Sequence, residues 1–236
     1  MTPHNTFASL TLQNFTLPLK LAHFKLIAFD MDSTLINIEC VDEIADAVGL
    51  KEEVAAITEA TMRGEIADFK TSLRRRVALL RGVSVQDMER VYVERLKLNP
   101  GASELVAACK KAGMKVLLVS GGFTFFANRV AKRLGIDYAK SNELEIDKGV
   151  LTGGLVNQSW GDICDGEEKR KTLLDTCTLL GIAASQSIAV GDGANDLPMM
   201  GAAGLSVAYH AKPKVREQAM VAINDGGLDR LLEVLN

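Results

Sequence analysis

Cysteine is scarce in this chain of 236 residues, which contains four. Their positions, Cys40, Cys109, Cys164 and Cys177, show no spacing typical of a metal site. A chain of this length can bury a complete hydrophobic core, so it does not need a disulfide framework for stability. We therefore expect reduced thiols and a cytoplasmic location.

Long apolar runs are also missing. No stretch reaches the roughly 18 apolar residues that suggest a membrane span, and no cationic segment followed by an apolar one opens the chain. Charge of one sign is not in large excess, since 27 Lys and Arg against 30 Asp and Glu give a net charge of −3. We therefore expect no signal peptide, and neither a membrane nor a nucleic acid as partner.

Several catalytic motifs are absent as well. The three histidines, His4, His23 and His210, lie outside the polar turns described below, which argues against a Ser–His–Asp triad. The chain has no G-x-x-x-x-G-K-[ST] motif, and the G-x-G at Gly191 and Gly193 lacks the third glycine of a dinucleotide site. These absences leave a carboxylate as the candidate nucleophile, which can form an aspartyl-phosphate.

What the chain does contain is a short apolar run that leads directly into an acidic turn. Leu26-Ile27-Ala28-Phe29 is followed by Asp30-Met31-Asp32-Ser33-Thr34. A run of this kind predicts a buried parallel strand whose carboxyl end meets a site. Two carboxylates this close repel each other unless a cation or a shared proton relieves them. The alternative is that Asp30 and Asp32 serve only as turn formers or as a helix N-cap.

Two further apolar runs end in turns of complementary chemistry. Residues 115–119 lead into Ser120-Gly121-Gly122, and residues 187–190 lead into G-D-G-A-N-D at 191–196. Helical segments separate the runs, and this alternation predicts an α/β fold with a parallel sheet covered on both faces. The glycine-containing segment 144–156 predicts a hairpin-like excursion.

The segment 38–98 has a different character. It is rich in Glu, Ala, Val and Arg, contains no proline and carries helical periodicity, with Ser84 and Asp87 as a predicted capping pair. We expect a small helical cap inserted after the first strand. The rest of the chain then divides into an N-terminal extension (1–23), either an added edge strand or a loose arm, and an α/β core (24–37 and 99–236).

The three turns together predict a site for a phosphoryl group. They offer carboxylates, an amide, a hydroxyl and the backbone N–H groups of two glycines. Lys169, at the start of the predicted helix 169–180, adds a cation. Carboxylates that hold a hard metal ion, surrounded by such donors, suit phosphoryl oxygens. A glycine such as Gly193 alone would indicate only a tight turn, so the prediction depends on all three turns.

These motifs resemble the haloacid dehalogenase superfamily: D-M-D-S-T-L at 30–35, S-G-G at 120–122, Lys169 and G-D-G-A-N-D at 191–196. The longer run from Phe29 to Asp46, with S-L-R-R-R-V at 72–77, is similar more narrowly to phosphatases of that superfamily that act on O-phospho-L-serine. The resemblance implies a Rossmann-like core with a helical cap. It also implies a Mg²⁺-dependent phosphatase that forms an aspartyl-phosphate, at the last step of serine biosynthesis.

The resemblance further implies roles for individual residues. Asp30 would be the nucleophile and Asp32 the general acid/base. Mg²⁺ would be held by Asp30, the backbone carbonyl of Asp32, and Asp192. The phosphoryl oxygens would be bound by Ser120, Gly121 and Lys169, with support from Asn195, while Asp196 would orient Lys169. Lys171 is the alternative to Lys169, which is preferred because it lies nearer the helix start.

Substrate selection is expected in the cap. Helical spacing predicts an apolar stripe of Phe69, Leu73, Val77 and Leu80. Arg76 falls beside this stripe and needs an anionic partner if it is enclosed, whereas Arg74 and Arg75 point to solvent. By the resemblance, Arg76 would bind the substrate carboxylate and Glu39 the substrate ammonium. The alternative for Glu39 is an ordinary acidic residue at a helix N-terminus.

Two other functions stay open at this point. A related phosphatase could act on another small phosphate ester, such as histidinol phosphate or a phospholipid headgroup precursor. The chain could also be a non-catalytic module that binds a sugar phosphate or nucleotide phosphate, although the Asp30 and Asp32 pair argues against this. Either a monomer or a homodimer is compatible with the sequence.

Overall fold

The computed structural model describes residues 9–14 and 19–235. Its strands are β1 (Leu10–Leu12), β2 (Leu26–Phe29), β3 (Lys115–Phe123), β4 (Tyr138–Asn142), β5 (Leu144–Asp147), β6 (Val150–Leu155), β7 (Ser187–Gly191), β8 (Leu205–Tyr209) and β9 (Val221–Ile223). Within the described ranges, seven strands form one sheet in the spatial order β1-β9-β8-β7-β2-β3-β4, and β5 and β6 form a separate pair.

Helices alternate with these strands. They are α1 (Cys40–Ala47), α2 (Lys51–Met62), α3 (Phe69–Leu79), α4 (Val85–Arg90), α5 (Ala102–Lys111), α6 (Thr124–Leu134), α7 (Gly166–Leu180), α8 (Leu197–Ala202) and α9 (Pro213–Gln218). Short helical turns lie at 21–23, 31–35, 91–95, 184–186, 194–196 and 228–233. Of the helices in the described part of the chain, none combines the length and the apolar character needed to cross a membrane.

Strand β2 occupies the centre of the sheet and positions the acidic turn. Ile27 pairs in parallel with Val116 of β3 on one side and with Ile188 of β7 on the other. Because successive side chains of a strand alternate between faces, Ile27 and Phe29 pack in one core cluster and the other two residues of β2 in a second. The first cluster includes residues of α5 and α6, and the second includes residues of α7 and α8. The predicted Rossmann-like α/β sheet, covered on both faces, is confirmed.

One edge of the sheet comes from the N-terminal extension. Strand β1 pairs antiparallel with β9, with Leu10 opposite Ile223. Residues 9–14 therefore provide an edge strand, one of the two structures expected for this extension. The expectation for residues 1–8 and 15–18 lies outside the described residues.

The helical segment leaves the core and returns to it at one place, where Ile36 and Leu98 form an antiparallel bridge. Helix α3 begins at Phe69, whereas the helical periodicity of residues 66–80 predicts a start at Ile66. The reason is local: the side chain of Asp68 accepts a hydrogen bond from the backbone N–H of Thr71 at 2.7 Å and caps the helix there.

The predicted capping pair and the predicted hairpin are both confirmed. Ser84 and Asp87 form a reciprocal capping box at the start of α4. Strands β5 and β6 pair antiparallel around Lys148 and Gly149, which have φ values of 48° and 81°. The backbone N–H of Leu151 on β6 donates to the carbonyl of Val83 at 2.8 Å, so the hairpin is attached to the helical segment.

Candidate active site

The acidic and glycine-rich segments lie side by side because β3, β2 and β7 are adjacent and parallel. Asp30 directly follows β2, and Asp192 directly follows β7. Strand β3 continues through Ser120 to Phe123, beyond the apolar run, and its pairing with β4 shifts register between Val119 and Phe123. The expected turn after Val119 is therefore an irregular strand end that lines a cavity.

Lys169 forms a buried charge cluster with two aspartates. Its Nζ lies 2.7 Å from Asp30 Oδ1 and 2.7 Å from Asp196 Oδ1. Burial lowers the pKa of Lys169, but the charges of Asp196 and Asp30 outweigh burial and hold the pKa above its usual value. Lys169 is thus an ammonium fixed beside Asp30. Lys171, the alternative motif lysine, is exposed.

Asp32 lies in the helical turn 31–35 after β2, and its carboxyl group contacts Cys40, the first residue of α1. Its Oδ2 accepts a hydrogen bond from the backbone N–H of Cys40 at 3.2 Å, and its Oδ1 accepts one from the Cys40 thiol at 3.1 Å. Burial first, and the charge of Glu39 second, raise the pKa of Asp32 to about 7. A carboxyl group with this pKa can release a proton and take one up near neutral pH.

The turn after β2 is held in an unusual backbone conformation. Ser33 has a φ of 56°, a left-handed value that residues other than glycine rarely adopt. The side-chain amide of Asn99 supports the turn by donating to the carbonyls of Thr34 at 2.8 Å and Ile36 at 3.0 Å. Ser33 in turn donates from its hydroxyl to Glu39 Oε1 at 2.6 Å. The turn therefore connects the sheet end to the residue expected to meet the substrate ammonium.

Asp196 organises the turn after β7. Its Oδ2 accepts the backbone N–H groups of Asp192 at 3.1 Å and Gly193 at 3.0 Å, and its Oδ1 accepts the ammonium of Lys169 at 2.7 Å. A methyl group added to Gly191 would lie 2.5 Å from the Asp196 side chain, so only glycine allows this approach. Asp196 is thus the anchor of both the turn and Lys169.

Three carboxylates at this edge are close enough to hold a metal ion. Oxygens of Asp30, Asp192 and Asp196 all lie within 4.8 Å of one another. Burial first, and the charge of Asp196 second, raise the pKa of Asp30 well above its usual range and that of Asp192 to about 7. A divalent cation relieves such crowding, and these hard oxygen donors suit Mg²⁺. Because both Asp196 oxygens already accept hydrogen bonds, Asp30 and Asp192 are the carboxylates that fit a metal.

The helical segment 38–98 contributes both acidic and basic side chains to the same cavity. Glu39, Asp42 and Arg76 line it together with the sheet-end residues. Burial lowers the pKa of Arg76, and the charges of Asp42 and Glu39 oppose that shift. Arg76 Nε and Asp42 Oδ1 are buried without a hydrogen-bond partner among the described residues. Paired acidic and basic groups of this kind suit a ligand that carries both an ammonium and a carboxylate.

The cavity has a volume of about 870 Å³ and is lined by residues of the sheet end and of the helical segment 38–98. The predicted site residues on its wall are Asp30, Asp32, Glu39, Arg76, Ser120, Gly121, Asp192 and Asn195. Lys169 and Asp196 are fully buried behind that wall. The structure thus brings the sequence-predicted residues into one region. Their individual roles remain predictions.

The two glycines of the S-G-G segment lie against neighbouring side chains. A methyl group on Gly121 would lie 2.8 Å from the ring of Phe69 on α3. A methyl group on Gly122 would lie 3.0 Å from Asp32 Oδ2, and the Gly122 N–H donates to Ser120 Oγ at 2.9 Å. A side chain at Gly121 would therefore displace the Phe69 ring, and one at Gly122 would crowd the Asp32 carboxyl group.

Sequence reasoning missed four residues that support this arrangement: Cys40, Asp42, Asn99 and Asp162. It did indicate Ser33 and Thr34 as further oxygen ligands or donors. Thr34 donates from its hydroxyl to Asp192 Oδ1 at 3.3 Å. Arg74 is half exposed, as expected, yet it forms an ion pair with Asp162, and Lys70 lies 3.4 Å from Asp165. The i,i+4 spacing of Lys70 and Arg74 places both on one face of α3, but nothing in the sequence identifies their partners.

Comparison with known proteins places the chain in a family. A family model for haloacid dehalogenase-like hydrolases matches residues 27–201. A phosphoserine phosphatase of Polaromonas sp. (strain JS666 / ATCC BAA-500) is 71% identical over 235 residues, which cover 100% of each chain. A phosphoserine phosphatase of Albidiferax ferrireducens is 70% identical over 234 residues, 99% of each chain.

Similarity to a solved structure extends to the fold. A substrate-bound phosphoserine phosphatase complex superposes with a TM-score of 0.82 at 38% sequence identity, over 90% of this chain and 99% of the other. The sequence similarity and the structural superposition both extend over nearly the whole length of the chain. The chain therefore belongs to the haloacid dehalogenase-like hydrolases and, within them, to the phosphoserine phosphatase family.

Proposed function

We propose that this chain hydrolyses O-phospho-L-serine to L-serine and inorganic phosphate, through phosphorylation of Asp30 and with Mg²⁺ as cofactor. This reaction is the last step of serine biosynthesis. The observation that carries the proposal is the shared cavity: Asp30 and Asp32 lie at its sheet end, while Glu39 and Arg76 lie on its cap side. A phosphoester reaction site and a recognition site for an amino acid thus share one chamber.

In the proposed first step, a carboxylate oxygen of Asp30 attacks phosphorus as the bond to the serine oxygen breaks. The Lys169 ammonium, 2.7 Å from Asp30 Oδ1, orients this carboxylate and partly offsets the rise in its pKa that burial and the charge of Asp196 cause. Ser120 and Gly121 at the end of β3 are the proposed donors to the phosphoryl oxygens. Each such preorganised donor is typically worth about 10²–10³ in rate.

Asp32 is the proposed proton donor and acceptor. With a pKa of about 7 it can hold a proton in the free site and give it to the departing serine oxygen. The resulting carboxylate then takes a proton from the water that hydrolyses the phosphorylated Asp30. The two carboxyl groups have different roles because Lys169 lies beside Asp30, whereas Asp32 is held by Cys40.

The residues proposed to hold Mg²⁺ are Asp30 and Asp192 through their carboxylates and Asp32 through its backbone carbonyl. When bound, the ion would offset the repulsion between the Asp30 carboxylate and the phosphoryl oxygens. Asp196 contributes indirectly, because its bonds to the backbone of Asp192 and Gly193 shape the turn that presents Asp192.

The decisive test is phosphate release from L-phosphoserine by the purified chain, with Mg²⁺ and with excess chelator. We expect turnover only with the metal. A substrate panel that includes histidinol phosphate, phosphoethanolamine and a sugar phosphate distinguishes the proposal from the alternatives. Faster hydrolysis of another ester would identify a different substrate, and absence of phosphate release with every ester would indicate a binding module.

A further inference from the structure

The thiol of Cys40 contacts the proposed acid/base directly. Cys40 is the first residue of α1, and its side chain is fully buried. Its backbone N–H donates to Asp32 Oδ2 at 3.2 Å, and its Sγ lies 3.1 Å from Asp32 Oδ1. One residue therefore supplies a separate partner to each oxygen of the same carboxyl group.

The two partners differ in what they can do. A backbone N–H can only donate, so Oδ2 must act as an acceptor and cannot direct a proton toward that group. A thiol can donate its S–H to a carboxylate, and its sulfur can accept an O–H from a carboxylic acid. We propose that Cys40 is a positioning residue that fixes the rotation of the Asp32 carboxyl group, with Oδ1 beside the thiol and Oδ2 beside the backbone N–H.

The inference rests on the proposed function, in which Asp32 exchanges protons with the substrate and with water. In the first step the O–H of the Asp32 carboxyl group turns from the sulfur to the serine oxygen and gives that oxygen its proton. The bond from phosphorus to the serine oxygen breaks as a bond from phosphorus to an Asp30 oxygen forms. The Cys40 S–H then donates to the new carboxylate. In the second step Oδ1 takes a proton from the attacking water, and the sulfur becomes the acceptor again. The thiol is neither oxidised nor consumed.

A simple packing role predicts different behaviour. Cys40 belongs to the same hydrophobic cluster as Cys109, and both side chains are fully buried. If the sulfur only fills space, removing it would affect Cys40 and Cys109 alike, through stability. If it positions Asp32, removing it from Cys40 would slow the proton-dependent step and leave substrate binding unchanged.

The test compares Cys40→Ala and Cys40→Ser, with Cys109→Ala as the matched control. We expect Cys40→Ala to lower kcat for phosphoserine by about 3- to 10-fold, the range of one modest hydrogen bond, with little change in KM. Cys40→Ser keeps a group that donates and accepts, so it should restore kcat to within about twofold. If Cys40→Ala does not fold, the near-isosteric pair Cys40→Thr and Cys40→Val makes the same comparison.

A second measurement separates positioning from general damage. An ester with an acidic leaving group, p-nitrophenyl phosphate, needs little protonation as it departs, so Cys40→Ala should lower its kcat/KM less than that for phosphoserine. Asp32→Asn provides the reference. If Asp32→Asn discriminates between the two esters and Cys40→Ala does not, or if Cys40→Ser fails to restore kcat, the Cys40 inference is wrong. If Asp32→Asn lowers both esters equally, the proposed role of Asp32 is wrong instead.

Discussion

Lys169 and Asp196 form an ion pair in the interior of the protein, with 2.7 Å between Nζ and Oδ1 and both side chains fully buried. The pair lies directly behind Asp30, whose Oδ1 is 2.7 Å from the same ammonium. An ammonium enclosed in this way is stable only because two carboxylates surround it. The behaviour of the whole site therefore depends on a charge cluster that lies behind the cavity wall.

Replacing this ammonium should damage both stability and catalysis. Lys169→Met leaves Asp30 and Asp196 buried without their cation, and breaking such a pair typically costs about 3–5 kcal/mol. We also expect kcat to fall by about 10²–10³ through loss of an electrostatic donor. Thermal unfolding and phosphate release measure the two effects. The exposed Lys171→Met is the matched control. If Lys171→Met loses activity and Lys169→Met does not, the assignment of the motif lysine is reversed.

Asp30→Asn should abolish turnover while the fold survives. The amide keeps the size of the side chain but cannot form the phosphorylated intermediate, and it removes one charge from a crowded carboxylate cluster. Phosphate release should fall to background, and rapid acid quenching should no longer trap phosphorylated protein. Mass spectrometry must exclude deamidation to aspartate. Normal turnover by a verified Asp30→Asn protein would contradict the aspartyl-phosphate mechanism.

The metal requirement should distinguish Mg²⁺ from Ca²⁺. Ca²⁺ takes more oxygen ligands at longer distances, so we expect it to bind both oxygens of Asp30 and leave none free for attack. Activity in Mg²⁺ should therefore decline as Ca²⁺ is titrated in, and chelation should remove it entirely. Titrating Mg²⁺ at several fixed Ca²⁺ concentrations tests whether the ions compete. Full turnover with Ca²⁺ alone would count against this arrangement.

Replacing Arg76 should change substrate specificity, whereas replacing its neighbour Arg75 on the same helix should not. Arg76→Ala is expected to lower kcat/KM for phosphoserine by at least about 100-fold, because a site built around a polar group loses most when that partner is missing. Phosphoethanolamine lacks the carboxylate, so its much lower kcat/KM should hardly change. The exposed Arg75→Ala is the matched control and should leave both values nearly unchanged.

Glu39 gives the complementary comparison at the ammonium end of the substrate. Glu39→Ala should lower kcat/KM for phosphoserine strongly and that for phosphoglycolate, which has no ammonium, only slightly.

Two outcomes would contradict these assignments. If Arg75→Ala reproduced the pattern of Arg76→Ala, the position of Arg76 on the inner face of α3 would not determine specificity. If Glu39→Ala affected both esters equally, Glu39 would support the Ser33 turn without recognising the ammonium.

The pH dependence of stability in the metal-free protein provides a further test. Burial and the charge of Asp196 raise the pKa of Asp192 to about 7 in the folded protein, against about 3.9 in an unfolded chain. The folded state therefore holds a proton that the unfolded state has lost between pH 4 and pH 7, so stability falls as pH rises through this window. Above about pH 7 both states have released this proton, so stability no longer falls on this account.

The substitution Asp192→Asn should remove this loss of stability at higher pH. With chelator at pH 8 we expect it to be more stable than the parent chain by about 1–3 kcal/mol, since each pKa unit corresponds to about 1.4 kcal/mol and relaxation reduces the total. The gain should fade as pH falls toward 4. Chemical unfolding at several pH values measures it, with the exposed Asp175→Asn as control. A gain that did not change with pH would exclude Asp192 ionisation as its cause.

Much of the architecture was predictable because it depends on local pattern. The apolar residues 26–29, 115–119 and 187–190 are too short and too continuous for surface helices, and alternation with helical segments implies a parallel sheet. Parallel strands place their carboxyl ends at one edge, which brings Asp30 and Asp192 together. The capping pair Ser84 and Asp87 is equally local, since its members are three residues apart.

The boundaries of some helices and strands depended on backbone hydrogen bonds that the apolar pattern does not reveal. Helix α3 begins where the Asp68 side chain binds the N–H of Thr71, although the apolar residues suggest an earlier start. Strand β3 continues past its apolar run because Phe123 still pairs with Asn142 of β4, after a shift in register that spans Ser120 and the two glycines. In both cases hydrogen bonding of the backbone decided the boundary, and side-chain hydrophobicity did not.

The sequence by itself determined the fold class, the order of elements and the chemical types that meet at the sheet edge, since these follow from short-range periodicity and from residue identity. Tertiary structure alone decided which atoms touch. Thr34 reaches Asp192 across 158 positions, Lys169 reaches Asp196 across 27, and Cys40 divides its backbone and thiol between the two oxygens of Asp32. Hydrogen bonds and ion pairs act over a few ångströms, and separation along a chain does not specify such distances until the chain has folded.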